Sequence, residues 1–186
     1  MVSIPNLITL GRLLLVPLIV SLLIDGRYVI VFALFVLAGL SDAVDGFIAK
    51  RFNRATALGA YLDPIADKAL LVSMFVALGA LEHLSVWLVV LVVSRDILII
   101  GAIVLSFVMG YPQQIRPLWV SKLNTLLQIV LAAAVLAKLG FPDAKPISDA
   151  VEQLVPAVAA TTVLSGGAYL IRWYRSVSKW EVRGGG

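Results

Sequence analysis

The chain has 186 residues, of which 61% are hydrophobic and 14% charged, with a formal net charge of +4. A soluble domain carries roughly a quarter charged residues and could not hide this much apolar side chain, so the composition excludes an ordinary water-soluble fold or a second soluble domain. The absence of cysteine excludes disulfides and thiolate metal sites, and no nucleic-acid partner is expected.

A membrane span needs about 20 mostly apolar residues. Six stretches qualify, at roughly 7–24, 28–40, 59–81, 86–109, 119–139 and 151–173. The first has no basic residue ahead of it and holds Arg12, so it reads as a span and not a signal peptide. Asn6, Thr9 and Arg12 fall along one side of that helix, where interfacial capping and snorkelling are the plain alternative to a binding role. The second stretch is short unless its helix runs on through 41–49, which carries Asp42 and Asp45. The third holds Asp63 and Asp67, the fourth Arg95 and Asp96, and the fifth opens beside Lys122.

The breaks are polar or turn-forming: Asp25-Gly26-Arg27, the run from Lys50 to Arg54, Glu82-His83, Gly110-Tyr111-Pro112, and 140–149 with Pro142 and Pro146. His83 reads as a solvated loop residue. Short connections suit a compact bundle. The fold expected is an all-α integral membrane bundle of six spans, one domain over 1–183, with 184–186 as a flexible tail.

Basic residues are unevenly placed. Lys50, Arg51, Arg54, Arg116, Lys122, Arg172, Arg175, Lys179 and Arg183 fall on one side of this topology, and Arg27, Lys138 and Lys145 on the other. The positive-inside rule then puts both termini, the Lys50 loop and the Arg116 loop in the cytoplasm. The short stretch before Ile4 leaves a bacterial plasma (inner) membrane as the expected location.

The carboxylates carry the chemistry. Asp42 and Asp45 are three apart and Asp63 and Asp67 four apart, so each pair shares a helix face. An antiparallel hairpin would bring the two faces together near the cytoplasmic surface. Four carboxylates converging in low dielectric repel and would take up protons unless cations neutralise them. Hard divalent ions suit oxygen ligands, and Mg²⁺ or Mn²⁺ suits a site that handles phosphates. Two such ions would clamp a diphosphate. Gly46, Ala49 and Gly59 are small residues that let a nucleotide or a neighbouring backbone approach. Solvated loop charges or helix caps are the bland alternative, but aspartates bordering spans default to function. A divalent-metal transporter would also use them. It would need a polar path crossing the membrane and often a repeated half, and neither is visible.

Asp42-x2-Asp45-Gly46-x2-Ala49-Lys50-x8-Gly59-x3-Asp63-x3-Asp67 resembles the signature of the CDP-alcohol phosphotransferases. Every spacing agrees. Lys50 stands where the signature has arginine, with Arg51 next to it, so the charge survives but a bidentate grip on phosphate does not. The resemblance implies a six-helix membrane enzyme, commonly a homodimer, that transfers the phosphatidyl group of CDP-diacylglycerol to an alcohol and releases CMP. It further implies that Asp42, Asp45 and Asp63 ligate two metal ions and that Asp67 is the general base and also touches a metal. Asp42, Gly46, Ala49, Lys50, Arg51 and Gly59 would lie against the nucleotide.

The acceptor is read from two further places. Ser94-Arg95-Asp96, with Ile103 two turns on, and Ser121-Lys122-Leu123-Asn124-Thr125 both resemble the mitochondrial-type cardiolipin synthases. Phosphatidylglycerophosphate synthases typically have arginine and lysine where Ile103 and Asn124 stand. Arg95, Lys122 and Arg116, with Asn6 and Arg12, are the candidate acceptor or lipid contacts, and phosphatidylglycerol is the expected acceptor, with glycerol 3-phosphate second. For Arg95 a structural ion pair with Asp96 is the alternative, and for Lys122 an interfacial anchor.

Overall fold

A computed structural model describes the backbone of residues 4–52, 57–109 and 118–182. Within these it describes the side chains of residues 11, 13–41, 68–102, 104–106, 108–109, 118–175 and 178. The described residues form six helices and the turns around them, with no strand. They are α1 (Ile4–Ile24), α2 (Tyr28–Phe52), α3 (Ala57–Ala80), α4 (Val86–Val108), α5 (Trp119–Gly140) and α6 (Lys145–Val182). Helix is what an apolar chain needs where no water can satisfy its backbone, because every N–H and C=O is then paired within one segment.

Val86–Ser106, Trp119–Gly140 and Lys145–Arg175 are long and apolar enough to cross a membrane. Leu13–Ile24, Tyr28–Ser41 and Lys68–Ala80 are shorter apolar stretches inside their helices. The second segment, too short if it ended at Leu40, does run on as helix to Phe52. The last helix begins earlier than its apolar run suggested. Pro146 lies in its first turn, where a missing N–H costs nothing. At 38 residues α6 is about 57 Å long, well beyond the ~30 Å hydrocarbon core.

The core is aliphatic and aromatic. Ile19 and Leu23 of α1, Val31 and Phe35 of α2, and Met74, Phe75 and Leu78 of α3 pack with Leu88, Val92, Leu131, Leu136 and Val158. Many large apolar side chains face outward instead, among them Leu14, Leu37, Ile97, Val104 and Leu126. That inversion is expected of a bundle whose solvent is lipid. Close approach uses small residues. A Cβ on Gly79 would lie 2.7 Å from a methyl of Val89, so α3 and α4 meet there only because Gly79 has no side chain.

Packing follows an uneven pattern. α5 and α6 make the broadest contact, α4 lies on α6, and α1 packs against both α2 and α3. Among the described residues α2 and α3 do not pack directly on each other. α1 on one side and α5 on the other bridge them. This leaves space between the described parts of the two helices, while the expected hairpin between their aspartate-bearing ends lies outside the described residues.

The turns are specified locally. After α1, Gly26 takes φ +71°, and the Arg27 N–H donates to Leu22 C=O at 2.9 Å, which closes a Schellman cap. After α3, the same geometry falls on a non-glycine residue, with Glu82 at φ 61° and the His83 N–H donating to Leu78 C=O at 2.8 Å. His83 is not free in solvent as expected. It is half-buried, with Nε2 3.1 Å from the Tyr28 hydroxyl and the two rings edge to face. A left-handed conformation costs a residue with a Cβ about 1 kcal/mol. Gly26→Ala is therefore expected to lower thermal stability in detergent by about that amount, since no atom lies near enough to clash. Glu82→Gly should raise stability by a similar amount, and equal melting temperatures for both variants and the parent would refute the cap argument.

Candidate active site

Helix α2 continues without a break through Asp42, Asp45, Gly46, Ala49, Lys50 and Arg51, and α3 carries Gly59, Asp63 and Asp67. The side chains of these residues, and of Asn6 and Arg12 on α1, lie outside the described residues, as does Arg116 altogether. What the helices determine is register. On α2 the series Phe35, Ala38, Asp42, Asp45 steps by three and four, so all four positions share one face. On α3 Asp63, Asp67, Leu70 and Leu71 do the same.

That register matters because Phe35, Ala38, Leu70 and Leu71 line a groove of about 530 Å³ between α2, α3 and α5. Thr125, Leu126, Ile129 and Ala133 of α5 form its floor. Among the described residues the wall is apolar apart from Thr125 and one charged residue, Lys68. Each aspartate pair therefore continues a helix stripe that, one or two turns away, faces this groove. The groove fills the gap that α2 and α3 leave by not touching.

Beside the groove lies a buried charge cluster. Arg95 and Asp96 of α4 are 5% and 4% exposed. Asp96 Oδ1 accepts from Arg95 Nη1 at 2.6 Å and also pairs with the Lys68 ammonium of α3. The other Arg95 donors are directed at hydroxyls. Nε and Nη2 reach Ser165 Oγ of α6 at 3.2 and 2.6 Å, and Nη2 reaches Ser121 Oγ of α5 at 2.5 Å. The guanidinium also lies 6.0 Å from the Tyr169 ring centre. One arginine thus ties α4 to α5 and α6, and its carboxylate partner ties α4 to α3. Asp96 Oδ2 is buried with no hydrogen-bond partner among the described residues.

A second polar layer seals α5 to α6. The fully buried Asn124 Oδ1 accepts from the Thr161 and Thr162 hydroxyls at 2.9 and 2.8 Å. Lys122, by contrast, is exposed, its ammonium 5.1 Å from the centre of the exposed Trp119 ring. This is the geometry of an interfacial cation–π pair. Of the candidates read from sequence, the structure brings Arg95 into the interior and leaves Lys122 at the periphery. Lys68 and Ser165 were missed. Lys68 gave a signal, a charge opening an otherwise apolar run after Asp67. Ser165 gave none, being 70 residues from Arg95.

Residues 2–173 match the family described as CDP-alcohol phosphatidyltransferase. The chain belongs to that family. Its members are transferases and depend on divalent metal ions. Among relatives, a chloroplastic CDP-diacylglycerol–glycerol-3-phosphate 3-phosphatidyltransferase of Oryza sativa subsp. japonica is 31% identical over 94% of this chain and 58% of its own length. The CMP-forming cardiolipin synthase of Homo sapiens is 34% identical over 73% of this chain and 50% of its own length. A probable phosphatidylglycerophosphate synthase of Mycobacterium tuberculosis (strain ATCC 25618 / H37Rv) is 31% identical over 94% of this chain and 83% of its own length. The chain thus spans little more than half of the rice and human relatives.

The cluster and the periphery should respond differently to mutation. Removing one partner of a buried pair costs about 3–5 kcal/mol because the other charge is left uncompensated. Arg95→Leu is therefore expected to give the largest loss of thermal stability, and Ser165→Ala a loss of about 1–2 kcal/mol. Lys122→Ala should change stability by less than about 0.5 kcal/mol. Unfolding of the three variants in detergent checks the order, and a Lys122 effect as large as that of Arg95 would contradict it.

Proposed function

We propose that this chain is a CDP-alcohol phosphatidyltransferase of phospholipid synthesis, moving the phosphatidyl group of CDP-diacylglycerol to phosphatidylglycerol with release of CMP. The observation that carries this reading is the continuity of the apolar groove with both aspartate stripes. A diacyl lipid has one apolar and one phosphate-bearing end, and the two stripes present those chemistries in that order along α2 and α3. The same register argues against a transporter, which would need polar residues along the whole path.

Asp42, Asp45 and Asp63 would hold two Mg²⁺ or Mn²⁺ ions, with Asp67 able to reach one of them. Carboxylate oxygens at helical spacings, with no thiolate or imidazole among them, fit such ions. When bound, the ions supply charge neutralisation for the diphosphate and the departing CMP. Asp67 takes the proton from the acceptor hydroxyl. The acceptor oxygen then bonds to the β-phosphorus as the bond from that phosphorus to the bridging oxygen breaks, and CMP keeps that electron pair. Asp42, Gly46, Ala49, Lys50, Arg51 and Gly59 lie against the nucleotide, the small residues letting it approach the backbone. Arg95, Arg116, Lys122, Asn6 and Arg12 serve the lipid or acceptor side, Arg95 from within the bundle.

The acceptor assignment draws on charge. Glycerol 3-phosphate is nearly a dianion at neutral pH and calls for several free cations. Four of the five Arg95 donors are already engaged, and the groove wall carries one charged side chain. That suits the single charge of a phosphodiester. Glycerol 3-phosphate is the second reading, favoured by the rice and mycobacterial relatives. The proposal also comprises six spans in one domain over 1–183 with a flexible 184–186 tail. Both termini and the active site would face the cytoplasm at the cell (inner) membrane, and the protein would be a homodimer.

In mixed micelles with CDP-diacylglycerol and Mg²⁺ or Mn²⁺, CMP release is expected with phosphatidylglycerol and not with glycerol 3-phosphate. The opposite preference would overturn the acceptor and leave the reaction class standing. Chelation should abolish release, and added Mg²⁺ or Mn²⁺ should restore it. Asp67→Asn should lower turnover by about 10²-fold or more, as loss of a general base does, while sparing CDP-diacylglycerol binding. Turnover near the parent's would remove Asp67 from that role.

A further inference from the structure

We propose that Lys68 is the cation that grips the phosphate of a lipid substrate seated in the α2–α3–α5 groove, and that Asp96 is its positioning residue. The inference rests on the reading above, in which the groove takes the lipid chains.

Lys68 is the one charged side chain among the described residues that line the groove. A lipid packed on Phe35, Leu71 and Ile129 therefore meets a single cation along that wall. The level is also right. On α3 Lys68 directly follows Asp67 and precedes Leu70 and Leu71, so it stands where the carboxylate-bearing turns give way to the apolar wall. An amphiphile whose chains lie in the groove changes from apolar to polar at that boundary.

The charge balance points the same way. Asp96 Oδ1 is shared by the Lys68 ammonium and Arg95 Nη1, so among the described residues two cations meet one carboxylate and the cluster they form is net positive. Arg95 disperses its charge over Ser121, Ser165 and the face of Tyr169. The Lys68 ammonium is buried and among the described residues has Asp96 alone, although an ammonium carries three donors. An uncompensated charge within a span is costly, and a phosphate oxygen at Lys68 would offset it. Asp96 explains why the ammonium stays at this depth. A lysine stem without a partner would snorkel toward the interface. Held by Asp96, the stem forms part of the groove wall while its head remains beside the cluster.

The ligand chemistry is a phosphodiester or diphosphate on a diacyl lipid, and donor and acceptor both carry one. The test is equilibrium binding of three lipids with identical acyl chains to the purified full-length protein in neutral-detergent micelles with Mg²⁺. The lipids are CDP-diacylglycerol, phosphatidylglycerol and uncharged diacylglycerol. The parent is expected to bind the gripped anionic lipid about tenfold or more tighter than diacylglycerol, as a charge-assisted contact implies. Lys68→Met should erase that preference and leave diacylglycerol affinity unchanged, and Lys68→Arg should restore most of it. Loss confined to CDP-diacylglycerol assigns Lys68 to the donor, and loss confined to phosphatidylglycerol assigns it to the acceptor. Lys68→Met leaves Arg95 and Asp96 as a neutral pair, so it should fold, and its diacylglycerol affinity verifies that. Asp96→Glu keeps the charge but displaces it. It should raise the KM for the gripped lipid severalfold with kcat largely retained, which a merely structural role would not produce. Parent-like preference for both anionic lipids in Lys68→Met overturns the proposal. Failure of the parent to release CMP would instead sink the proposed reaction, while the binding comparison would still decide the role of Lys68.

Discussion

The bundle depends on one carboxylate. Asp96 sits almost entirely out of solvent, and through Oδ1 it holds Lys68 of α3 and Arg95 of its own helix. Arg95 passes the connection to Ser121 of α5 and Ser165 of α6. In lipid there is little hydrophobic drive between helices, because the tails are as apolar as the side chains, and association falls to packing and interhelical hydrogen bonds. Four helices therefore converge on a contact that is expensive to form and cannot be made in part. Replacing a buried ion pair by apolar residues of similar volume is often neutral or stabilising, so stability alone is a weak reason for one to be here. The position of this cluster, against the groove and one residue from Asp67, supplies a better one.

The same contact shapes the cavity. α5 and α6 are joined along a broad seam, with Asn124 bonded to two threonines and Leu131 and Val135 buried beside it. α4 is fastened to that seam by Arg95, and again where the Trp173 indole N–H donates to Ser106 Oγ at 3.0 Å. α3 is drawn toward α4 by Lys68 and by the close pass at Gly79. α2 shares none of these polar ties. It leans on α1 and α5 through apolar side chains, and the gap between it and α3 is the groove. Among its described residues α2 has one polar tie to another element, the Tyr28–His83 contact at its start, so along the groove a polar-braced wall faces a helix held by apolar contacts, which suits the bulky lipid of the proposed reaction.

Much of this was legible in the sequence because membrane helices and carboxylate chemistry both leave local marks. Apolar runs located six helices, and the two pairs of aspartates at helical spacing fall on two of them, α2 and α3. The long second helix is conditional on 41–49 continuing as helix, and it does, since these residues contain no proline and one glycine. What the sequence hid was tertiary. Local spacing cannot say which helices are neighbours, and it gives no sign that α1 and α5 bridge the described parts of α2 and α3. Ser165 is an unremarkable residue in an apolar run until Arg95 arrives beside it. Tyr28 opens the second apolar run and His83 sits in the break after the third, 55 residues apart, and only the fold makes them partners. The early start of α6 went unread because prolines were taken as punctuation, whereas Pro146 is placed where a helix tolerates it.

Asn124 bears on the acceptor in a way the sequence comparison alone did not show. In the phosphatidylglycerophosphate synthase pattern that position resembles a lysine site, and its change to asparagine reads as the removal of a cation from the acceptor pocket. In the fold Asn124 is fully buried and faces α6, accepting from Thr161 and Thr162 and not lining the groove. It lies one turn from Ser121, which takes a donor from Arg95. A lysine here would add a second net charge to an interior whose described residues already hold two cations against one carboxylate. The asparagine instead closes the helix seam with neutral hydrogen bonds, leaving Lys68 as the cation in the groove wall. On the proposed reading, an interior whose described residues carry one such net positive charge suits a phosphodiester acceptor better than a phosphate monoester.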